Sequence, residues 1–300
     1  MDVVVFGAGS LGSLVGGLLA QEHDVTLVGR DPHVAAVAES GLVVDGDRSA
    51  TVAPTAATDG TGLTADLAVL AVKAFDTEAA ARDLATGEYE AALSLQNGMG
   101  NEERLARHLD CPVLAGTATY GAVLREPGRV ECTGVGEITL GHREGGDSAS
   151  AVRVARAFRR ADLDVTVSDD MPRRLWEKLA VNAGINAVTA LSRVENGALL
   201  SGPANDLARS AACEAARVAR RRNVFLPDRA ALDAVADVAT ATADNESSMY
   251  QDVQDGRRTE VDAVNGYVVD RASEHDVDVP VNRTLAALLR AWERGQGVRE

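Results

Sequence analysis

The chain opens with an apolar, β-branched run at 2–6 (DVVVF), passes through GAGSLG, and continues as an amphipathic stretch from Ser10 to Gln21. This pattern predicts strand, turn and helix. A second strand is expected at 24–29 (DVTLVG), after which Asp31 and Pro32 open another helix as N-cap and first helical residue. Further apolar runs at 67–72, 91–95 and 112–117 alternate with helical stretches near 76–85 and 100–109, the order of a doubly wound, mainly parallel sheet. The short segments 129–133 and 136–141, separated by glycine, read as an antiparallel edge hairpin, and 60–64 (GTGLT) and 144–148 (EGGDS) as polar loops. Beyond about residue 169 the strand signals stop. From 172 to 292 the sequence reads as helices with periodic Ala, Leu and Val, broken at 201–203, Pro227, Gly256 and Pro280. The expected organisation is a dinucleotide-binding α/β domain over 1–169 and an all-α domain over 170–300, without internal repeats or low-complexity tracts.

Length and composition agree with two domains, since 300 residues with 46% hydrophobic content can fill two cores. A net charge of −15 argues against nucleic acid, whose phosphates require clustered cations. No apolar run reaches the roughly 18 residues of a membrane span, and the glycine motif starts at Gly7, so neither a membrane anchor nor a signal peptide is expected and the protein is placed in the cytoplasm. Cys111, Cys132 and Cys213 are scattered without metal-ligand spacing and read as reduced thiols, with no metal site. Of the 30 basic residues only Lys73 and Lys178 are lysine. An acidic, lysine-poor chain resembles proteins adapted to high intracellular salt. It also draws attention to the lysines that are kept, because an ammonium can give up a proton that a guanidinium cannot.

Candidate chemistry begins with Gly7, Gly9 and Gly12, which make G-x-G-x-x-G between a strand and a helix. The first glycine allows the tight turn, the second lets the backbone approach a pyrophosphate, and the third lets helix and strand pack closely; Ala8, Ser10 and Leu11 complete the loop. At the end of the second strand, where an NAD site places a carboxylate on the ribose, stands Arg30, which favours the 2′-phosphate of NADPH; Asp31, next to Pro32, is read as a helix cap. Lys73 follows the strand at 67–72 and is expected to touch phosphate or ribose, although a solvated loop lysine is the simpler alternative.

The stretch 175–191 (LWEKLAVNAGINAVTAL) predicts a helix apolar around most of its circumference and therefore buried on several sides. Lys178, Asn182 and Asn186 are spaced by four and Thr189 returns to nearly the same direction, so one polar stripe runs along it. Burying an ammonium and two amides is costly unless partners satisfy them, which suggests either a substrate cleft or structural hydrogen bonds. In the cluster DNESSMYQD (244–252) and RRTEVDAVNG (257–266), Ser247 and Ser248 are candidate helix caps and Glu260 a candidate first-turn carboxylate.

Taken in order, GAGSLG, VKAF (72–75), QNGMG (96–100), WEKLAVNAGINAVTAL (176–191), ENGAL (195–199), SSMYQD and TEVDAVNG resemble the ketopantoate reductase family along nearly the whole chain. The resemblance implies a Rossmann-type doubly wound sheet followed by an all-α domain, of the 6-phosphogluconate-dehydrogenase-like kind, and NADPH-dependent reduction of 2-dehydropantoate to pantoate on the route to coenzyme A. It implies that Lys178 is the general acid, that Asn182, Asn186 and Asn196 bind substrate, and that Ser248 and Glu260 hold the substrate and order the site. Asn97 is then beside nicotinamide and substrate, with Arg30 and Lys73 on the phosphate and ribose. One departure is Gln96, where many relatives have another polar residue, and GIN within the stripe leaves the shape of the pocket wall open. A reductase of another 2-oxo or 3-oxo acid, or a non-catalytic NADPH-binding regulator, would share much of this pattern; the regulator would have no need of Lys178 and its stripe. The sequence leaves a homodimer open.

Overall fold

The computed structural model describes residues 1–300. Its contacts divide the chain into two compact units, one of residues 1–96 and 101–171, the other of residues 97–100 and 172–300. Unit 1 contains strands β1 (Asp2–Phe6), β2 (Asp24–Val28), β3 (Leu42–Gly46), β4 (Ala50–Val52), β5 (Thr55–Ala57), β6 (Thr64–Leu70), β7 (Glu88–Ser94), β8 (Val113–Ala118), β9 (Gly121–Glu126), β10 (Arg129–Gly134), β11 (Ile138–His142) and β12 (Val165–Val167). Its helices are α1 (Ser10–Leu19), α2 (His33–Ser40), α3 (Thr77–Leu84), α4 (Asn101–Leu105) and α5 (Ala149–Arg160).

Eight strands form one sheet in the order β12-β11-β8-β7-β6-β1-β2-β5, parallel except that β11 runs antiparallel to β8. The strands read as continuous apolar runs because both faces are covered. In β1, Val3 and Val5 belong to a core shared with Leu14, Val15 and Leu18 of α1 and Val154 and Phe158 of α5. Val4 and Phe6 point the other way, into a core with Ala80, Ala81 and Leu84 of α3 and Leu105 of α4. This is the Rossmann-type doubly wound sheet.

A second sheet, β4-β3-β10-β9, was not expected from the sequence, and it corrects the hairpin reading of 129–133 with 136–141. β10 pairs antiparallel with β9, which precedes it, and parallel with β3, whereas β11 lies in the large sheet. The turn that reverses the chain is Pro127–Gly128, where Gly128 has φ +81°, and the chain passes from one sheet to the other between Gly134, the last residue of β10, and Ile138 of β11. The small sheet lies on α1: a Cβ on Gly17 would come 2.8 Å from Val44 and 3.0 Å from Leu42.

His33 ties these parts together. Its Nδ1 accepts the N–H of Gly128 at 3.0 Å, so the ring is the Nε2–H tautomer and donates to Ser13 Oγ of α1 at 2.9 Å. Burial holds its pKa below the usual 6.5. The unfolded chain therefore binds the proton more readily, and the stability this site contributes is lost as pH falls below the unfolded value. Thermal unfolding of the wild type is expected to drop by a few degrees more between neutral pH and about pH 5 than that of His33→Gln; parallel pH curves for the two proteins would refute it.

Unit 2 is helical: α6 (Met171–Ser192), α7 (Gly202–Arg221), α8 (Asp228–Ala241), α9 (Ser248–Gln254), α10 (Tyr267–Ser273) and α11 (Pro280–Gly295), with a π-turn at Asp262–Gly266. Small residues let the helices approach closely: a Cβ on Gly184 of α6 would lie 2.8 Å from the carbonyl oxygen of Ala208 on α7. A buried polar chain crosses the bundle, in which Asn265 donates to Ala183 O of α6 and to Asn282 Oδ1, each at 3.0 Å, and Asn282 donates to Glu214 of α7 at 2.8 Å. No helix is long and apolar enough to cross a membrane.

Candidate active site

In unit 1 the chemistry gathers at the carboxyl ends of three adjacent strands. Gly7 follows β1, Arg30 follows β2 and Lys73 follows β6, and β6, β1 and β2 are neighbours in parallel register. Gly7 adopts φ +102°, and a Cβ there would meet Val72 N at 2.5 Å. A Cβ on Gly12 would meet Gly7 O at 2.0 Å, so this glycine lets α1 start directly against the turn. Gly9 differs, since nothing lies within 4 Å of a Cβ placed on it. The second glycine thus faces open space at the start of α1, where the first amides lack intrahelical partners and favour an anion. Ala8 is buried and its N–H donates to Val28 O at 3.0 Å. Ser10 Oγ accepts from Leu124 N–H at 3.1 Å, fastening α1 to β9, and Leu11 packs against the core.

Arg30 is 84% exposed and its Nη2 pairs with Asp76 Oδ2 at 2.6 Å, from β2 to the short turn that follows Lys73. An ion pair this open to solvent is worth little, so the guanidinium is available to a stronger anion. α2 starts at His33 with Pro32 as its N-cap, which corrects the expectation that Asp31 caps a helix beginning at Pro32; Asp31, one residue before the cap, still accepts from Ala35 N–H at 3.2 Å through its Oδ1. Gln96 donates to Val72 O at 3.0 Å and to Thr77 Oγ1 at 2.7 Å, and Thr77 donates to Asn101 Oδ1 at 3.0 Å. Gln96 therefore braces the turn carrying Lys73.

In unit 2 the stripe on α6 runs from half-buried to buried: Lys178 and Asn182 are half-buried, Asn186 and Thr189 buried. Its far end is structural, since Thr189 Oγ1 bonds Ile185 O at 2.9 Å and Ser247 Oγ at 2.7 Å. Ser247 is also the cap of α9, accepting from Tyr250 N–H at 3.1 Å, while Ser248 is exposed as the first residue of that helix. The segment before α9 also holds Asn196, whose N–H donates to Asn245 O at 3.0 Å and whose Nδ2 donates to Thr242 Oγ1 at 2.9 Å. The buried Oδ1 of Asn196 has no protein partner. Beside these segments is a cavity of about 460 Å³ lined by Arg193, Glu195, Asp244, Glu246 and Tyr250 among others; neither Lys178 nor Asn182 lines it.

Asn97 and Glu260 are brought together. Asn97 Nδ2 donates to Glu260 Oε2 at 3.4 Å, and Met99 N–H donates to Ala263 O at 3.1 Å, which fastens the 97–100 loop to the π-turn segment. Glu260 is only 7% exposed. Asp76, Thr259, Asn265 and Glu293 were missed in the sequence because each acts through a residue remote in the chain and no spacing signals it.

Comparison with known proteins follows this division. The model of the ketopantoate reductase PanE/ApbA family matches residues 3–145, and that of its C-terminal part matches residues 170–293. A 2-dehydropantoate 2-reductase of Halobacterium salinarum is 46% identical, over 98% of this chain and 99% of its own length, which fits the salt-adapted composition. One of Archaeoglobus fulgidus is 39% identical over 98% of both chains. Among solved structures, a PanE/ApbA family ketopantoate reductase from Ralstonia eutropha JMP134 superposes with TM-score 0.90 at 33% identity, over 99% of this chain and 100% of that one. D-mandelate dehydrogenase, in a ternary structure with NADH and anilino(oxo)acetate, superposes with TM-score 0.93 at 25% identity, over 100% of each. The chain belongs to the ketopantoate reductase family.

Proposed function

We propose that the chain reduces 2-dehydropantoate (ketopantoate) to pantoate with NADPH, in the supply of coenzyme A, and that Lys178 is the general acid. The observation that carries this reading is the polar stripe of α6: a chain that has replaced almost every lysine keeps one there, one helical turn from Asn182 and two from Asn186, in the unit that also joins Asn97 to Glu260. The names of the relatives supply the substrate.

The residues present fit a dinucleotide. The open space at Gly9, the start of α1 and the exposed Arg30 form a cradle for pyrophosphate and 2′-phosphate, with Lys73 beside them. Bound NADPH supplies the hydride. The chain must then stabilise negative charge on the ketone oxygen and deliver a proton to it, and the Lys178 ammonium can do both. The amides of Asn97, Asn182, Asn186 and Asn196 and the Ser248 hydroxyl are assigned to orienting the substrate carboxylate and hydroxyl, and Glu260 to ordering the site. Two amides and an ammonium on one stripe suit an oxo acid better than an apolar ligand. The reading describes a cytoplasmic enzyme with a small-molecule substrate and no nucleic-acid or membrane partner; light scattering would decide between monomer and homodimer.

A second reading, reduction of a different 2-oxo acid, draws on the likeness to D-mandelate dehydrogenase. Steady-state oxidation of NADPH and of NADH with ketopantoate and a panel of oxo acids separates the two. Arg30→Ala is expected to weaken NADPH by about 1.5–3 kcal/mol, roughly ten- to hundredfold, and to leave NADH nearly unchanged. Equal loss for both cofactors, or a wild-type preference for NADH, would remove Arg30 from the assignment.

A further inference from the structure

Glu260 sits on a segment anchored on both sides by one ring of hydrogen bonds and ion pairs. Thr259 donates its N–H and its Oγ1–H to Glu293 Oε1, at 2.8 and 2.6 Å. Glu293, on α11, is 0% exposed, and its Oε2 accepts from Arg299 Nη1 at 2.6 Å. Arg299 Nη2 donates to Asp262 Oδ2 at 2.5 Å, and Asp262 Oδ1 accepts from Arg290 Nε at 2.8 Å. The ring closes on residues 259 and 262, so Glu260 and Val261 lie between two fixed points. Beyond it the π-turn, in which Gly266 N–H reaches Val261 O at 2.8 Å, delivers Asn265 to the Ala183 carbonyl of α6, next to Asn182.

A buried ion pair is weak evidence of stability, because an apolar replacement of similar shape is often as stable. Carboxylates on residues 262 and 293, both answered by one guanidinium, instead give geometry: they permit one backbone path at 259–262 and therefore one direction for the Glu260 carboxylate. We propose that Glu293 and Arg299 are positioning residues for Glu260, holding its carboxylate on Asn97; this rests on the assignment of Glu260 to the reductase site. Neither residue touches a reacting atom, and their effect on the reaction passes through Glu260 alone.

The test compares kcat, KM, NADPH affinity and thermal unfolding for Glu260→Gln, Glu293→Gln, Thr259→Val and the double variant Glu260→Gln/Glu293→Gln. Displacing a catalytic group by about 1 Å can cost 10²-fold, so Glu293→Gln is expected to lower kcat by roughly ten- to hundredfold with NADPH affinity unchanged. The double variant is expected to be no slower than Glu260→Gln alone, since a misplaced group and an absent one fail in the same way. Arg299→Lys, which keeps a cation between the two carboxylates, is expected to retain most of kcat. Wild-type kcat in Glu293→Gln, or losses that multiply in the double variant, would overturn the proposal. Wild-type kcat in Glu260→Gln would instead show that Glu260 itself is misassigned, and the proposal would fall for that separate reason. If Glu293→Gln does not fold, Thr259→Val against Thr259→Ser decides alone: a loss of kcat in valine restored by serine supports positioning, and equal rates refute it.

Discussion

Lys178→Ala is expected to lose about 10²–10⁴ of turnover, the range for removing a general acid, while still folding and binding NADPH. The residue is half-buried on the stripe of α6, so its truncation leaves a small polar gap and not a core cavity. Lys178→Arg is the sharper probe. A guanidinium keeps the positive charge near the ketone oxygen but stays protonated across the accessible pH range and does not readily release a proton, so rescue should be partial. The wild-type rate should also fall at alkaline pH as the ammonium deprotonates, and that limb should be missing in the arginine variant. Near-wild-type turnover in either variant would move the proton donor elsewhere.

The second large effect separates two glycines of one motif. Gly12→Ala sets a methyl group 2.0 Å from the carbonyl oxygen of Gly7, and a backbone oxygen cannot rotate away as a side chain can. The strand–helix junction must part, at about 3 kcal/mol, the upper end of typical overpacking costs, and nucleotide binding should go with it. Gly9→Ala meets nothing within 4 Å, and its φ of −89° suits any residue. That variant should unfold within about 0.5 kcal/mol of wild type yet bind NADPH at least tenfold more weakly, about 1.4 kcal/mol, because the methyl occupies the space assigned to pyrophosphate. Calorimetry and thermal unfolding on both proteins read the contrast, and unchanged NADPH affinity in Gly9→Ala would place the dinucleotide elsewhere.

The middle of the large sheet was legible because burial on both faces writes β1, the second halves of β6 and β7 and the start of β8 as apolar runs, whereas the three-residue strands β5 and β12 at its edges carry no such signal and were not expected. The small sheet was not legible. β4 is three residues long and β9 has no buried residue, β3 alternates buried and half-buried positions over only five residues, and β10 is paired through a Pro127–Gly128 turn and not through the glycine at its end. At the candidate site, residues on a single periodic element were readable: spacing by four on α6 identified Lys178, Asn182 and Asn186 together. Residues that depend on tertiary pairing were hidden. Glu293 reads as one more helix carboxylate until the fold brings it to Thr259, and nothing in the string DTEAAA marks Asp76 as the partner of Arg30. Ser247 and Ser248 were both candidate caps, and only the structure shows that Ser247 does the capping.

The four residues Asn97–Gly100 have a genetic consequence. They belong with 172–300 by their contacts but are encoded inside the stretch that makes the other unit. A gene cut between codons 171 and 172 would therefore express a C-terminal polypeptide lacking the amide that meets Glu260 and the N–H that meets the Ala263 carbonyl. No single cut gives that unit whole, so a split or transplanted version needs the loop grafted back or supplied by the other fragment.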